Sequence, residues 1–236
     1  MAIQAKHISL SVSDGTVMQA YTAVPDKGDK ASGIIIFQEA FGVNNHIRNL
    51  VERFAGEGYV AIAPELFHRT APAGFETGYS DFSLVAPHYT AVTEETIEAD
   101  ATAAFDWLQQ HKQVEKDKIA CTGYCLGGRA SFIANSVLPL KAAVVYYGGG
   151  IAAILKRSYT QHAPVLFCWG GLDKHITHDQ VEAIVTEMDR AGKPYVNTVF
   201  SYADHAFSNN DRPNYQPQAA NEAWALTLAF LKEKLN

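Results

Sequence analysis

The pentapeptide Gly123-Tyr124-Cys125-Leu126-Gly127 constrains the fold of this chain more than any other stretch. It has the G-x-S-x-G spacing of a nucleophile elbow, with cysteine in the serine position. Such an elbow joins a strand to a helix so tightly that the central residue takes strained backbone angles and projects its side chain. Glycines two before and two after remove side chains that would collide there. The flanks agree: Lys118-Ile119-Ala120-Cys121-Thr122 reads as a short buried strand, and Leu126 to Val137 as a helix. Cys125 is therefore a candidate nucleophile and the chain a candidate hydrolase.

Strand–helix alternation continues on both sides. His7 to Val12 and Val17 to Val24 form an expected hairpin across Asp14-Gly15. The apolar run Gly33 to Gln38 suits a strand covered on both faces. Asn45 to Gly58 is helical, leading into the strand Tyr59 to Ala63, and Thr90 to Gln113 carries a long amphipathic helix. Ala142 to Tyr147, Val165 to Trp169 and Tyr195 to Tyr202 read as strands, with helices at His178 to Ala191 and Ala219 to Leu235. This order predicts an α/β fold with a mostly parallel central sheet, helices on both faces and no large lid domain. The 236 residues suit a single α/β domain spanning 1–236. Only Arg69 to Pro87 is long and irregular, and its composition leaves a functional loop and a plain connection equally open.

Composition narrows the partners. The chain is 47% hydrophobic, and its 19 basic and 25 acidic residues are spread evenly to a net charge of −6. No basic cluster points to nucleic acid. The apolar runs fall short of the roughly 20 residues that span a bilayer, and no basic-then-apolar leader opens the sequence. Three cysteines without a C-x-x-C pair give no metal or disulfide framework; Cys121 and Cys168, in apolar strands, read as core. A free catalytic thiol suits a reducing cytoplasm, the expected location. The other histidines form no H-x-x-x-H or H-E-x-x-H pair, and Gly148-Gly149-Gly150 lacks the Lys-Ser/Thr of a phosphate cradle. Neither metal nor organic cofactor is expected. A monomer and a homodimer are equally compatible with the sequence.

An acyl-transfer nucleophile needs a base, an orienting carboxylate and oxyanion donors. On open parallel sheets these groups come from loops at the carboxyl ends of strands. Asp173 follows one strand through Gly170-Gly171-Leu172, and His205 follows the last strand within Tyr202-Ala203-Asp204-His205-Ala206-Phe207. The order nucleophile, acid, histidine is that of α/β-hydrolases. Asp204 is a rival acid, but adjacent side chains of an extended segment point apart, which favours Asp173.

These segments resemble the dienelactone hydrolase family, cysteine-dependent members of the α/β-hydrolase fold. The resemblance also covers Gln38-Glu39-Ala40-Phe41-Gly42-Val43-Asn44, Ala63-Pro64-Glu65-Leu66, Gly123 to Gly128 and Tyr146-Tyr147-Gly148. It implies a triad of Cys125, Asp173 and His205 acting on carboxylic esters or lactones through an acyl-enzyme. The backbone N–H groups of Leu126 and Ala40 are the implied oxyanion donors. Glu39 is implied to hold the resting thiol neutral until substrate displaces it, an arrangement that would protect sulfur from oxidation. Phe41, His88, Tyr147 and Phe207 are expected around the substrate. The same triad on a thioester, amide or phosphoester is an alternative, as is a non-catalytic binding protein on a hydrolase scaffold.

The sequence departs from the family at the substrate carboxylate. The family's namesake activity uses two arginines, one four residues after the histidine; here that position is Asn209. The other lies in a region where Thr70 to Thr90 holds none, leaving Arg69 and Arg212 as off-motif replacements. Without a bidentate cation a carboxylated substrate loses its anchor, so an uncharged ester or lactone is the expected substrate.

Overall fold

The computed structural model describes residues 2–26, 28 and 30–236. The chain divides into two compact units, Met1–Ala120 and Cys121–Asn236.

The first unit opens with β1 (Ile3–Ser11) and β2 (Val17–Pro25), antiparallel in a register that pairs Ser11 with Val17. Asp14 closes the turn, its Oδ1 accepting from the Thr16 backbone N–H at 3.0 Å. The strand β3 (Ala31–Phe37) is buried from Gly33 onward, because α1 (Asn45–Gly56) and a later helix both pack on it. Asn44 caps α1, its side chain accepting from the Ile47 N–H. β4 (Val60–Pro64) pairs parallel with β3 and antiparallel with β2, so these strands run in the order β1-β2-β4-β3.

Two short elements follow, a 3₁₀ turn at Phe82–Leu84 and the helix α2 (Ala86–Ala91), before α3 (Glu94–Gln110). The expected single helix from Thr90 is interrupted for a local reason. Thr93 and Thr96 form a reciprocal capping box, which starts a new helix there. The irregular stretch is also anchored: Gly42 bridges Glu76, the Thr77 N–H donates to the Phe41 carbonyl, and Asn44 donates to the Tyr79 hydroxyl. Phe41 and Tyr79 pack edge to face with centroids 4.8 Å apart. The residues after β3 and this stretch therefore form one packed assembly within the first unit.

The strand β5 (Val114–Tyr124) carries the chain from the first unit into the second. There α4 (Leu126–Val137) packs on β6 (Ala142–Tyr146), which pairs parallel with β7 (Val165–Gly170). After α5 (His178–Arg190), β8 (Tyr195–Phe200) adds a further parallel strand, giving the order β6-β7-β8. The last helix, α6 (Pro217–Leu235), packs on β6 and β7, where the hydroxyls of Tyr146 and Thr227 bond at 2.7 Å. Among the described residues no helix is long and apolar enough to cross a membrane.

Candidate active site

Cys125 sits between the last residue of β5 and the first of α4, at φ 57° and ψ −112°. For a residue with a side chain this backbone is costly, about 1–3 kcal/mol, and persists only where its surroundings enforce it. The Cys125 N–H donates to the Tyr146 carbonyl at 3.1 Å, and its own carbonyl accepts the Gly128 N–H at 3.0 Å. A Cβ on Gly123 would lie 1.9 Å from the Gly127 carbonyl oxygen, so the turn cannot close around a side chain there. Gly123→Ala should therefore cost about 3 kcal/mol or more, lowering Tm by roughly 6–12 °C in a thermal melt. Gly149→Ala, where an added Cβ meets nothing within 4 Å, is the matched control and should melt like the parent.

The thiol is half-buried, whereas Cys121 and Cys168 are fully enclosed. Burial pushes the Cys121 thiol up to about 12, the Ser131 side chain offsetting it only in part; burial also raises Cys168 strongly. Both are held as neutral core thiols. Leu126 opens α4. Its N–H belongs to the first helical turn, where intrahelical acceptors are missing and the dipole favours negative charge.

Asp173 and His205 meet because two loops pack without side chains between them. A Cβ on Gly170 would lie 2.7 Å from the Ala203 carbonyl oxygen. The Leu172 N–H donates to that same oxygen at 2.9 Å, and the Gly171 N–H to Phe200 at 2.8 Å. The His205 Nδ1 then lies 2.7 Å from Asp173 Oδ2. Asp173 Oδ1 accepts the backbone N–H groups of His175 and Ile176 at 2.8 and 3.1 Å. Asp204 is occupied elsewhere, its Oδ1 accepting the His205 backbone N–H at 2.6 Å.

The electrostatics follow from these contacts. Both side chains are only 8% exposed as residues. Burial opposes the charged imidazole, but the hydrogen bonds with Asp173 and then Cys125, and the charges of both, raise His205 to about 10. Burial likewise opposes the carboxylate, yet His205 and the two backbone donors hold Asp173 below its ordinary value. The pair is thus poised as imidazolium and carboxylate.

Tyr147 and Phe207, expected around the substrate, are fully buried. The Tyr147 ring lies 5.1 Å from that of His205 and 5.3 Å from Phe207, and its hydroxyl bonds Ser208 at 2.6 Å. They back the imidazole. Among the described residues three non-glycine positions have positive φ: Cys125, Tyr147 and Ala206, the last beside His205. His175 is a further neighbour, its ring 5.4 Å from His205. No sequence signal singled out Ala206 or Ser208, because strain and packing partners leave no motif.

In the first unit, Glu39 is a fully buried carboxyl two residues beyond β3, with Ala40 and Phe41 buried after it. His88 packs edge to face on Phe75 at 4.5 Å and bonds the Thr70 hydroxyl at 2.9 Å. Arg69 is committed: its two Nη atoms hold Asp100 at 3.0 and 2.8 Å and its Nε holds Asp14 at 2.7 Å. That engagement removes Arg69 as a substrate anchor. Asn209 is buried, with its Oδ1 accepting the Asp211 N–H at 3.0 Å.

A strained elbow after a strand, with a carboxylate–imidazole pair on loops after later strands, defines the α/β-hydrolase class. Solved structures agree. A Klebsiella pneumoniae protein provisionally named a dienelactone hydrolase superposes with a TM-score of 0.89 at 32% identity, covering 98% of this chain and 99% of that one. A dienelactone hydrolase-like promiscuous phosphotriesterase from metagenomic libraries gives 0.85 at 23% identity, a likeness of fold, covering all of both chains. The profile of the dienelactone hydrolase family matches residues 18–235, and the chain belongs to that family of hydrolases. A protein of Escherichia coli O157:H7 provisionally named carboxymethylenebutenolidase is 33% identical over 232 residues, 94% of this chain and 84% of its own.

Proposed function

We propose that the protein hydrolyses uncharged carboxylic esters or lactones through a thioester acyl-enzyme on Cys125. The observation that carries this reading is the imidazole of His205, bonded through Nδ1 to Asp173 at 2.7 Å and also to Cys125. With Nδ1 engaged by Asp173, Nε2 is the nitrogen that exchanges protons with sulfur, leaving group and water.

In the reactive ion pair His205 already carries the proton and Cys125 is the thiolate, whose sulfur bonds to the substrate carbonyl carbon, placing the electron pair on the carbonyl oxygen. The N–H of Leu126, and by family resemblance that of Ala40, stabilise this oxyanion; losing one such donor costs roughly 10²–10³ in kcat. Collapse breaks the carbon–oxygen bond to the alcohol, which takes the proton from His205. His205 then removes a proton from water, whose oxygen attacks the thioester. The second collapse releases the carboxylic acid and returns thiolate and imidazolium. Asp173 orients the ring and stabilises its charged form without itself taking the proton.

Preference for uncharged substrates rests on Arg69 being spent on Asp100 and Asp14 and on asparagine at position 209. The kcat/KM of neutral short-chain esters should exceed that of dienelactone; the reverse order would refute the preference while leaving the triad standing. Glu39 is proposed to gate the thiol. Glu39→Gln should then be inactivated by hydrogen peroxide faster than the parent, and equal or slower inactivation with unchanged turnover would remove that role. The reading as a whole is tested by intact-mass detection of an acetyl-sized adduct during p-nitrophenyl acetate turnover.

A further inference from the structure

A concavity lies entirely within the first unit and shares no residue with the proposed triad. It is a cleft of about 400 Å³ at the open face of the β1–β2 hairpin, under the carboxyl end of α3. The alternation of β1 places Lys6 and Ile8 on one side of the strand. Val24 of β2 extends that apolar floor, and Trp107 and His111 of the α3 terminus form the facing wall. These two rings stand one helical turn apart with centroids 5.0 Å apart, tilted by 41°. Lys112 completes the rim.

The polar chemistry of the cleft is mostly donor chemistry. His111 Nδ1 accepts the Gln113 backbone N–H at 3.3 Å, which leaves Nε2 as its N–H donor. Burial first, then the charges of Lys112 and Lys6, lower its basicity and keep the ring neutral. Lys6, Lys112 and this ring line the same cleft. Neither lysine takes part in an ion pair among the described residues. Gln4 adds an amide, and among the described lining residues Asp26 contributes the one carboxylate. Among the described lining residues two cations therefore face one anion around a flat, half-buried aromatic wall. A planar apolar body stacks favourably on such a wall, and a negative head is favoured beside the two ammonium groups.

We infer that this cleft binds an aromatic carboxylate, its ring against Trp107 and His111 and its carboxylate between Lys6 and Lys112. The inference stands independently of the proposed esterase chemistry, since it uses no residue of that machinery.

Sodium benzoate provides the test, titrated at constant ionic strength against sodium chloride. Trp107 emission is followed as the difference between the parent and Trp107→Phe. The expected result is a saturable response whose half-saturation rises about tenfold or more in the Lys6→Gln/Lys112→Gln double variant. Benzyl alcohol and inorganic phosphate, each carrying half of the chemistry, should bind at least tenfold more weakly. p-Nitrophenyl acetate turnover by the double variant should match the parent. In the unsubstituted protein, benzoate should also move the NMR titration midpoint of His111 upward, because the bound anion offsets the two ammonium groups. An unsaturable response, equal half-saturation in parent and double variant, phosphate matching benzoate, or an unmoved His111 would each overturn the inference.

Discussion

Replacing Cys125 with alanine should abolish ester turnover, lowering kcat on the order of 10⁴-fold or more, and should eliminate the acyl adduct seen by intact mass. The loss is large because no other group can supply the attacking atom: Cys121 and Cys168 are buried and held neutral. Cys125→Gly should be equally inactive yet more stable than Cys125→Ala. Alanine retains the cost of φ 57° and ψ −112°, while glycine adopts those angles without a Cβ penalty. Releasing about 1–3 kcal/mol of strain against up to about 1 kcal/mol of extra chain entropy should leave the glycine variant roughly 2–4 °C higher in Tm. Equal melting temperatures would mean that the elbow stores no strain. Turnover surviving in either variant would place the chemistry elsewhere.

Asp173→Asn should lower kcat by roughly 10⁴-fold while leaving the fold intact, because the imidazole loses both its orientation and its charge partner. The same variant should bring the His205 titration, followed by NMR, down from about 10. Its stability profile also changes. A raised histidine contributes stability fully below its unfolded value of about 6.5 and loses it as pH rises through about 10. The lowered carboxylate contributes above about 3.8 and loses its contribution as pH falls through its depressed folded value. Removing the carboxylate weakens both, so the urea midpoint of Asp173→Asn should change less between pH 6.5 and 10 than that of the parent. A parallel decline in both proteins would show that the pair adds nothing to stability.

The elements visible in the sequence are those whose signal is local. Gly15 and Asp14 mark the hairpin, and the apolar runs at 34–37 and 142–146 mark strands enclosed on both faces. The break before α3 leaves no periodic signal, because Thr93 and Thr96 cap through paired side chains, whereas periodicity across Thr90 to Gln113 suggests one continuous helix. The irregular stretch after Arg69 carried no pattern of its own. Its order comes from Glu76, Thr77 and Tyr79 bonding to residues more than thirty positions earlier.

At the site, the spacing of Gly123, Cys125 and Gly127 already pointed to a strand-to-helix elbow, whose close approach leaves no room for a side chain at Gly123. The order of Cys125, Asp173 and His205 named the candidates for acyl transfer. Their protonation lay beyond the sequence. It depends on a 2.7 Å contact across 32 residues, on two backbone donors to Asp173 and on the burial of both partners. The enclosure of Tyr147 and Phe207 behind the imidazole and the commitment of Arg69 to Asp100 were likewise decided only by tertiary structure. Residue types and local spacing specify which chemical groups exist and how the backbone turns around them. Burial and charge pairing are properties of three-dimensional neighbours, and these set which groups are charged and which are free to meet a substrate.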